Sequence, residues 1–388
     1  MNKFNFYNPT RIFFGENAIQ NLGEQLVVYG KNILLTYGGG SIKDNGIYDT
    51  VVEILKSANK NIFELSGIMS NPRTEKVYEG IKICKENEID FILAIGGGSV
   101  IDCSKFIAAG AKTDKDFWET FLINWENCYD ALPLGTVLTI SGTGSEMDNG
   151  GVITNWEENI KTSYGNELLY PKFSILDPTY TYTVPNNQLI FTSVDILSHI
   201  FEVYFSAPDS SNLSDDIAEA IIKNVIENLN IALENPTDYG ARANLMWASS
   251  MAINGLLELG KEQDWMSHQI EHALSAFYDI PHGAGLAVVH PNYMRYVYKN
   301  APTKFARYAK NIWRVDPSGK SDEEIALEGI ERTKAYFKAI GAPTTLHDVN
   351  IPATAIDEIA KQTNVFPTSY AKSMTHQDIK NILELCLS

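Results

Sequence analysis

Three of the chain's seven histidines, His268, His272 and His282, fall within fifteen residues in WMSHQIEHALSAFYDIPHG, and SVDILSH upstream adds Asp195 and His199. Asp195 and His199 are four residues apart, a spacing that projects both side chains from one face of a helix toward a shared cation. His268 and His272 repeat that spacing, while Pro281 ends any helix beyond them and lets His282 return from a turn. One carboxylate oxygen with three imidazole nitrogens suits zinc or ferrous iron, and a mixed set with an open coordination position belongs to catalysis more than to structure. Each part also has a plainer reading. Thr192 precedes Asp195 by the three residues of a helix-start capping box, and either histidine pair alone fits a satisfied core.

Such a set needs rigid elements to hold it, and the chain supplies two kinds. Its first half alternates short apolar runs with amphipathic stretches: NILLTY at 32–37, a helical pattern from about Asp44 to Lys60, NIFEL at 61–65, a second helix from about Thr74 to Asn87, and FILAIG at 91–96. This is the rhythm of a parallel α/β sheet. After Pro185 long helical patterns take over, including LSDDIAEAIIKNVIENLNIALEN and YGARANLMWASSMAINGLLELG. The expected fold is therefore α/β: a parallel-sheet domain over 1–183 and an all-helical domain over 184–388. LDPTYTYTVP, with two prolines, forms the connector.

Glycine loops suggest a second ligand. Gly38, Gly39, Gly40 and Ser41 follow NILLTY, and Gly96, Gly97, Gly98 and Ser99 follow FILAIG. Missing side chains let phosphate approach the backbone, and Ser99 opens a helix whose free N–H groups favour an anion such as a pyrophosphate. The competing reading is tight turns, with Ser99 and Asp102 as a capping box. Neither loop is the GxGxxG fingerprint. SGTGSEMD adds the hydroxyls of Thr139, Ser141, Thr143 and Ser145 around two further glycines.

Composition narrows the function classes. With 388 residues, 44% hydrophobic and 20% charged, the chain carries enough apolar material for two cores and too little charge for disorder. A formal charge of −17 repels phosphate and excludes general nucleic-acid binding. No segment is long and apolar enough to span a membrane, and MNKFNFYNPTRIFFG has no signal-peptide pattern. Four scattered cysteines without a CxxC pair suit a reducing compartment, so a cytoplasmic location is expected.

In order and spacing, NPTRIFFG, YGGGSIKDNGIYD, NPR at 71–73, AIGGGSVIDCSK, SGTGSEMD, LDPTYTYTVP, DxxxH at 195–199, ARANLMWASS and the histidine run ending at Gly283 resemble the iron-containing, group III alcohol dehydrogenases. Within them the likeness is to the butanol dehydrogenase and broad-range aldehyde reductase branch, over nearly the whole chain. The resemblance implies that 1–183 is a Rossmann-like dinucleotide-binding domain and 184–388 a helical metal-binding domain with a catalytic cleft between them, with Asp195, His199, His268 and His282 as metal ligands and His272 as a nonligand histidine near the nicotinamide. It assigns Gly38, Gly39 and Ser41 to the adenosine end of the cofactor and Asn71, Gly97, Gly98, Ser99 and Asp102 to ribose and phosphates. Thr139, Thr143, Lys161 and Tyr180 complete the cofactor wall. The segment after Lys361 looks shorter and less glycine-rich than is usual in this branch.

Residues and resemblance together predict reversible hydride transfer between NADP(H) and a primary alcohol or aldehyde, with one Fe2+ or Zn2+ polarising the substrate oxygen and His272 relaying a proton. NADP(H) is favoured over NAD(H) because the first strand ends in YGGGS with no acid at its tip, where Ser41 and Lys43 can meet a 2′-phosphate. FNFY and RIFFG are expected to form an edge ribbon that pairs two copies into a homodimer. Two other classes compete. A lyase or cyclase of the dehydroquinate-synthase type would need several Arg or Lys residues near the metal motifs, where Trp247, Met251, Trp265 and Phe277 instead suggest an apolar pocket. A nonenzymatic metal-binding or redox-sensing protein leaves the glycine loops unexplained.

Overall fold

The computed structural model describes residues 2–207, 212–365 and 373–388. The chain forms two compact units: Tyr7–Val184 with Pro236–Ser250, and Pro185–Asn235 with Met251–Ser388 and the first residues through Phe6. Two segments therefore cross the expected division at 183/184, since the amino-terminal residues and residues 236–250 each pack with the unit formed mainly by the other half of the chain.

The first unit is built on a six-stranded parallel sheet in the order β1-β8-β5-β4-β2-β3, with β1 Arg11–Phe14, β2 Asn32–Tyr37, β3 Asn61–Leu65, β4 Phe91–Gly96, β5 Leu134–Leu138 and β8 Phe173–Leu176. All six residues of β4 are buried, which is what a central parallel strand covered on both faces requires. Its side chains alternate between two cores. Ile92 and Ala94 join Leu34 and Phe106 on one face, while Phe91, Leu93 and Ile95 join Ile33 and Leu35 on the other. Helices Ile47–Ser57, Thr74–Glu86 and Gly98–Gly110 lie between successive strands. The helix expected from about Asp44 is broken: Ser41–Asp44 makes one turn, and Gly46 at φ +79° separates it from Ile47–Ser57, a left-handed step that glycine makes without a Cβ penalty. An antiparallel hairpin, β6 Gly150–Asn155 and β7 Ile160–Gly165, was not anticipated; its weak alternation is masked by glycines at both ends.

The second unit is helical, with Asn186–Tyr204, Leu213–Glu234, Met266–Tyr278, His282–Val297, Pro302–Trp313, Asp322–Ala339, Ile356–Gln362 and His376–Leu385 as its principal members. Phe205 stacks on Phe305 at 4.2 Å between ring centroids, and Phe201, Tyr204 and Tyr308 close around them. Lys261 donates to the Tyr204 carbonyl (3.0 Å) and to buried Asp215 (2.6 Å), tying the stretch before Met266 to the end of the first helix. Among the described residues no helix is long and apolar enough to cross a membrane. The unusual segment after Lys361 falls partly on residues 366–372, outside the described residues.

Candidate metal and cofactor site

Asp195 lies in the middle of Asn186–Tyr204, not at its start, so the capping-box reading fails; the Thr192 hydroxyl instead donates to the Leu189 carbonyl. One turn on, His199 Nε2 lies 3.5 Å from Asp195 Oδ1. His268 Nε2, from Met266–Tyr278, lies 3.8 Å from the same oxygen, and His282 Nε2 lies 3.5 Å from it. His282 is the first residue of a new helix rather than part of a turn: Asp279, at φ +49°, ends the helix before it and Pro281 caps the next.

This geometry fits a cation. Asp195 Oδ1 and His268 Nε2 are buried with no hydrogen-bond partner. An unsatisfied buried polar atom costs about 1–3 kcal/mol, so atoms of this kind aimed at one point are stable where an ion satisfies them. The electrostatics agree. Burial drives His199 down to about 4, whereas His268, which burial also pushes down, is carried up to about 9 by the Asp195 carboxylate 3.8 Å away and by its bond to Glu202. Burial would raise Asp195, but the surrounding histidines hold it below the usual carboxylate range. Three donors are enclosed and His282 is 24% exposed, which leaves an approach on its side. His272, one turn after His268 and buried, stands beside this set with its ring 5.7 Å from that of His282.

Two carboxylates absent from the sequence reading complete the cluster. Glu202 Oε1 accepts from His268 Nδ1 at 2.8 Å and from the His268 backbone N–H at 3.1 Å, and Glu271 Oε2 contacts His282 Nδ1. The sequence signal was spacing: Glu202 follows Asp195 by seven residues and Glu271 follows His268 by three, both helical-face intervals. Gly283 explains the HG pair. A Cβ there would meet the Phe191 carbonyl oxygen at 1.9 Å, so only glycine lets the two ligand-bearing helices approach this closely.

In the first unit Gly38, Gly39 and Ser41 follow the carboxyl end of β2, Gly97, Gly98 and Ser99 that of β4, and Thr139 and Thr143 that of β5, where open α/β sheets bind ligands, while Asn71 follows β3, Lys161 lies on β7 and Tyr180 follows β8. Gly97 and Gly98 are packed against Ile140 and Thr143, whose side chains added Cβ atoms would strike at 2.3 and 2.2 Å, while Gly39 faces open space. The helix Gly98–Gly110 starts after Gly97 with no side-chain cap, so the competing reading of Ser99 and Asp102 as a capping box fails. Asp102 is buried and accepts from Ser145 Oγ (2.6 Å) and from the Val152 N–H (2.8 Å); burial lifts it to about 6 against the pull of Lys105. Thr139 N–H donates to the Gly96 carbonyl, and Thr143 Oγ1 accepts from Ser145 N–H. Lys161 Nζ donates to Asn71 Oδ1 at 3.0 Å, with Asn71 at φ +49°, and Tyr180 is half-buried at the β8 end, where burial pushes its phenol to about 12.

A parallel sheet ending in glycine loops, with a helical unit that gathers one carboxylate and three imidazoles, defines a metal-dependent dehydrogenase architecture. The iron-containing alcohol dehydrogenase family model matches residues 9–178, and the Fe-containing alcohol dehydrogenase family C-terminal model matches residues 189–387. The chain is 45% identical over 388 residues to the probable NADH-dependent butanol dehydrogenase 1 of Bacillus subtilis, covering 100% of both chains. It is 37% identical to the NADPH-dependent aldehyde reductase of Escherichia coli, covering 93% of each. The crystal structure of NADH-dependent butanol dehydrogenase A from Thermotoga maritima superimposes with a TM-score of 0.96 at 40% identity, covering 100% of this chain and 99% of that one. The chain belongs to the iron-containing alcohol dehydrogenase family, in its butanol dehydrogenase branch. Its chemistry is that of a metal-dependent oxidoreductase of alcohols and aldehydes with a nicotinamide cofactor. The matches do not favour the lyase reading.

Proposed function

We propose that this chain transfers a hydride reversibly between NADP(H) and a primary alcohol or aldehyde of butanol-like character. One Fe2+ or Zn2+ is held by Asp195, His199, His268 and His282. The observation that carries the proposal is the convergence of three imidazole Nε2 atoms on Asp195 Oδ1, which has no hydrogen-bond partner. A divalent ion bound there supplies Lewis acidity toward the substrate oxygen. His272 takes up or returns the alcohol proton. Residues 1–183 serve mainly the cofactor, through Gly38, Gly39, Ser41, Asn71, Gly97, Gly98, Ser99, Asp102, Thr139, Thr143, Lys161 and Tyr180, and residues 184–388 mainly the metal.

Coenzyme choice rests on the tip of β2. An NAD site usually directs an acid at the ribose 2′-hydroxyl. Here Glu64 of β3 already accepts from Tyr37 (2.6 Å) and Tyr48 (2.8 Å), and Lys43 sits over both rings at 5.0 and 4.6 Å. Lys43, on the one-turn helix Ser41–Asp44 that follows Gly39 and Gly40, supports a 2′-phosphate. The relatives' names divide unevenly, with NADH in the Bacillus protein and in butanol dehydrogenases A and B of Clostridium acetobutylicum at 45–49% identity, and NADPH in the Escherichia reductase at 37%. Butanal reduction assayed with each cofactor tests the choice: NADPH should have the higher kcat/KM, and a tenfold advantage for NADH overturns it. We further propose a cytoplasmic homodimer. β1 is an edge strand, and Phe14 at its end is 42% exposed; light scattering should give twice the 43.2 kDa chain mass.

A further inference from the structure

The geometry points to Glu202 and Glu271 as positioning residues that fix how two of the histidines present their nitrogens, each from the helix that precedes its histidine in the chain. This inference rests on the metal-binding reading above. Glu202, on Asn186–Tyr204, holds His268 of Met266–Tyr278. Glu271, on Met266–Tyr278, holds His282 at the start of His282–Val297. Three helices are thus linked in series through two carboxylate–imidazole bonds.

A carboxylate only accepts, so each bond requires the proton on Nδ1, and in the neutral ring that a metal requires it reserves Nε2, the nitrogen that lies beside Asp195 Oδ1, as the free ligand atom. The carboxylates are themselves fixed. Glu202 also accepts the His268 backbone N–H (3.1 Å), and Glu271 accepts from Ser275, whose hydroxyl contacts the Ile280 carbonyl as well. Gly285 leaves the space that Glu271 occupies, since a Cβ there would fall 2.7 Å from Glu271 Cγ. Both glutamates are fully buried, an arrangement that is costly for a charge unless it is paired. His199 differs: its Nδ1 is buried without a hydrogen-bond partner. The three imidazoles are therefore not equivalent, and His268 and His282 are the two held in advance.

Partners of this kind orient a ligand and raise its basicity, and their loss typically costs ~10- to 100-fold in metal affinity. The test is a competitive chelator titration of the full-length protein with Zn2+ alone, repeated with Co2+ so that its d–d absorption reports ligand geometry. Glu271→Ala and Glu202→Ala should each weaken Zn2+ binding by ~100-fold and alter the Co2+ spectrum. Glu271→Gln and Glu202→Gln keep an acceptor and lose only the charge, so they should lose about 10-fold and retain a wild-type spectrum. Circular dichroism identifies any variant that fails to fold, and the glutamine pair then decides. Variants that bind Zn2+ within twofold of wild type overturn the inference. If wild type itself fails to take up one Zn2+ per chain, the metal-site reading fails instead.

Discussion

Gly283→Ala sets two opposed effects against each other. Alanine is about 1 kcal/mol better than glycine inside a helix, and Gly283 is the second residue of His282–Val297, so propensity alone predicts stabilisation. Sterics predict the reverse. The new Cβ would lie 1.9 Å from the Phe191 oxygen and 2.5 Å from its carbonyl carbon, and backbone atoms cannot rotate away as the end of a side chain can. Relieving the clash requires the helices to separate by roughly 1 Å, and overpacking of this kind costs about 1–3 kcal/mol. Phe191 lies one helical turn before Asp195 and Gly283 directly follows His282, so the same movement pulls two ligands apart. Metal–ligand distances tolerate only about 0.2 Å. The variant should therefore melt at lower temperature, bind Zn2+ at least ~10-fold more weakly, and lose activity by ~100-fold, the usual effect of a 1 Å misplacement. Gly240→Ala, also a second helical position but exposed, with nothing nearer than 3.4 Å, should keep wild-type Zn2+ affinity and activity and melt no lower than wild type, since only the propensity gain acts there. An equal or higher melting temperature with unchanged Zn2+ affinity for Gly283→Ala would refute the reasoning.

His272→Ala should keep its metal and lose ~10²–10⁴-fold in kcat, the usual worth of acid–base assistance. Wild-type kcat and pH dependence would remove the proton role, and collapse of metal content would make His272 a ligand. Glu146 is fully buried, and burial raises it to about 7, opposed by the Ser250 hydroxyl that donates to it. Its folded pKa lies above the unfolded value of 4.5, so above pH 4.5 the unfolded chain ionises first and stability falls until about pH 7. At ~1.4 kcal/mol per unit this amounts to about 3 kcal/mol. Glu146→Gln should flatten the stability profile between pH 5 and 7 in chemical denaturation, and an unchanged slope would contradict the burial argument.

The fold class could be read from the alternating apolar runs and the long helical patterns, and the candidate site stood out within it by spacing. Asp195 with His199 and His268 with His272 could be read because a helix converts a spacing of four into a shared face, and the glycine loops because absent side chains mark close approach. Glu202 and Glu271 were missed because each bonds a histidine on another helix, which local periodicity does not encode. The same limit applies to the sheet: the runs at β2 and β4 were visible in composition, but their pairing with each other and the edge position of β1 depend on long-range contacts. The plainer capping readings fail because the three-residue spacing falls inside a helix at Thr192 and after an uncapped glycine at Ser99. Residues 236–250 read as helical, yet nothing in their pattern assigned them to the first unit, where Ser250 meets Glu146.

The most direct test removes all metal from the wild-type protein with a chelator, confirms its absence by elemental analysis, and titrates Fe2+ or Zn2+ back while following NADPH oxidation by butanal. Turnover should be absent at the start, rise linearly, and reach its plateau at one ion per chain, and Asp195→Asn should give no such rise. Full turnover before any metal is added would contradict metal-dependent hydride transfer at the Asp195 and histidine cluster.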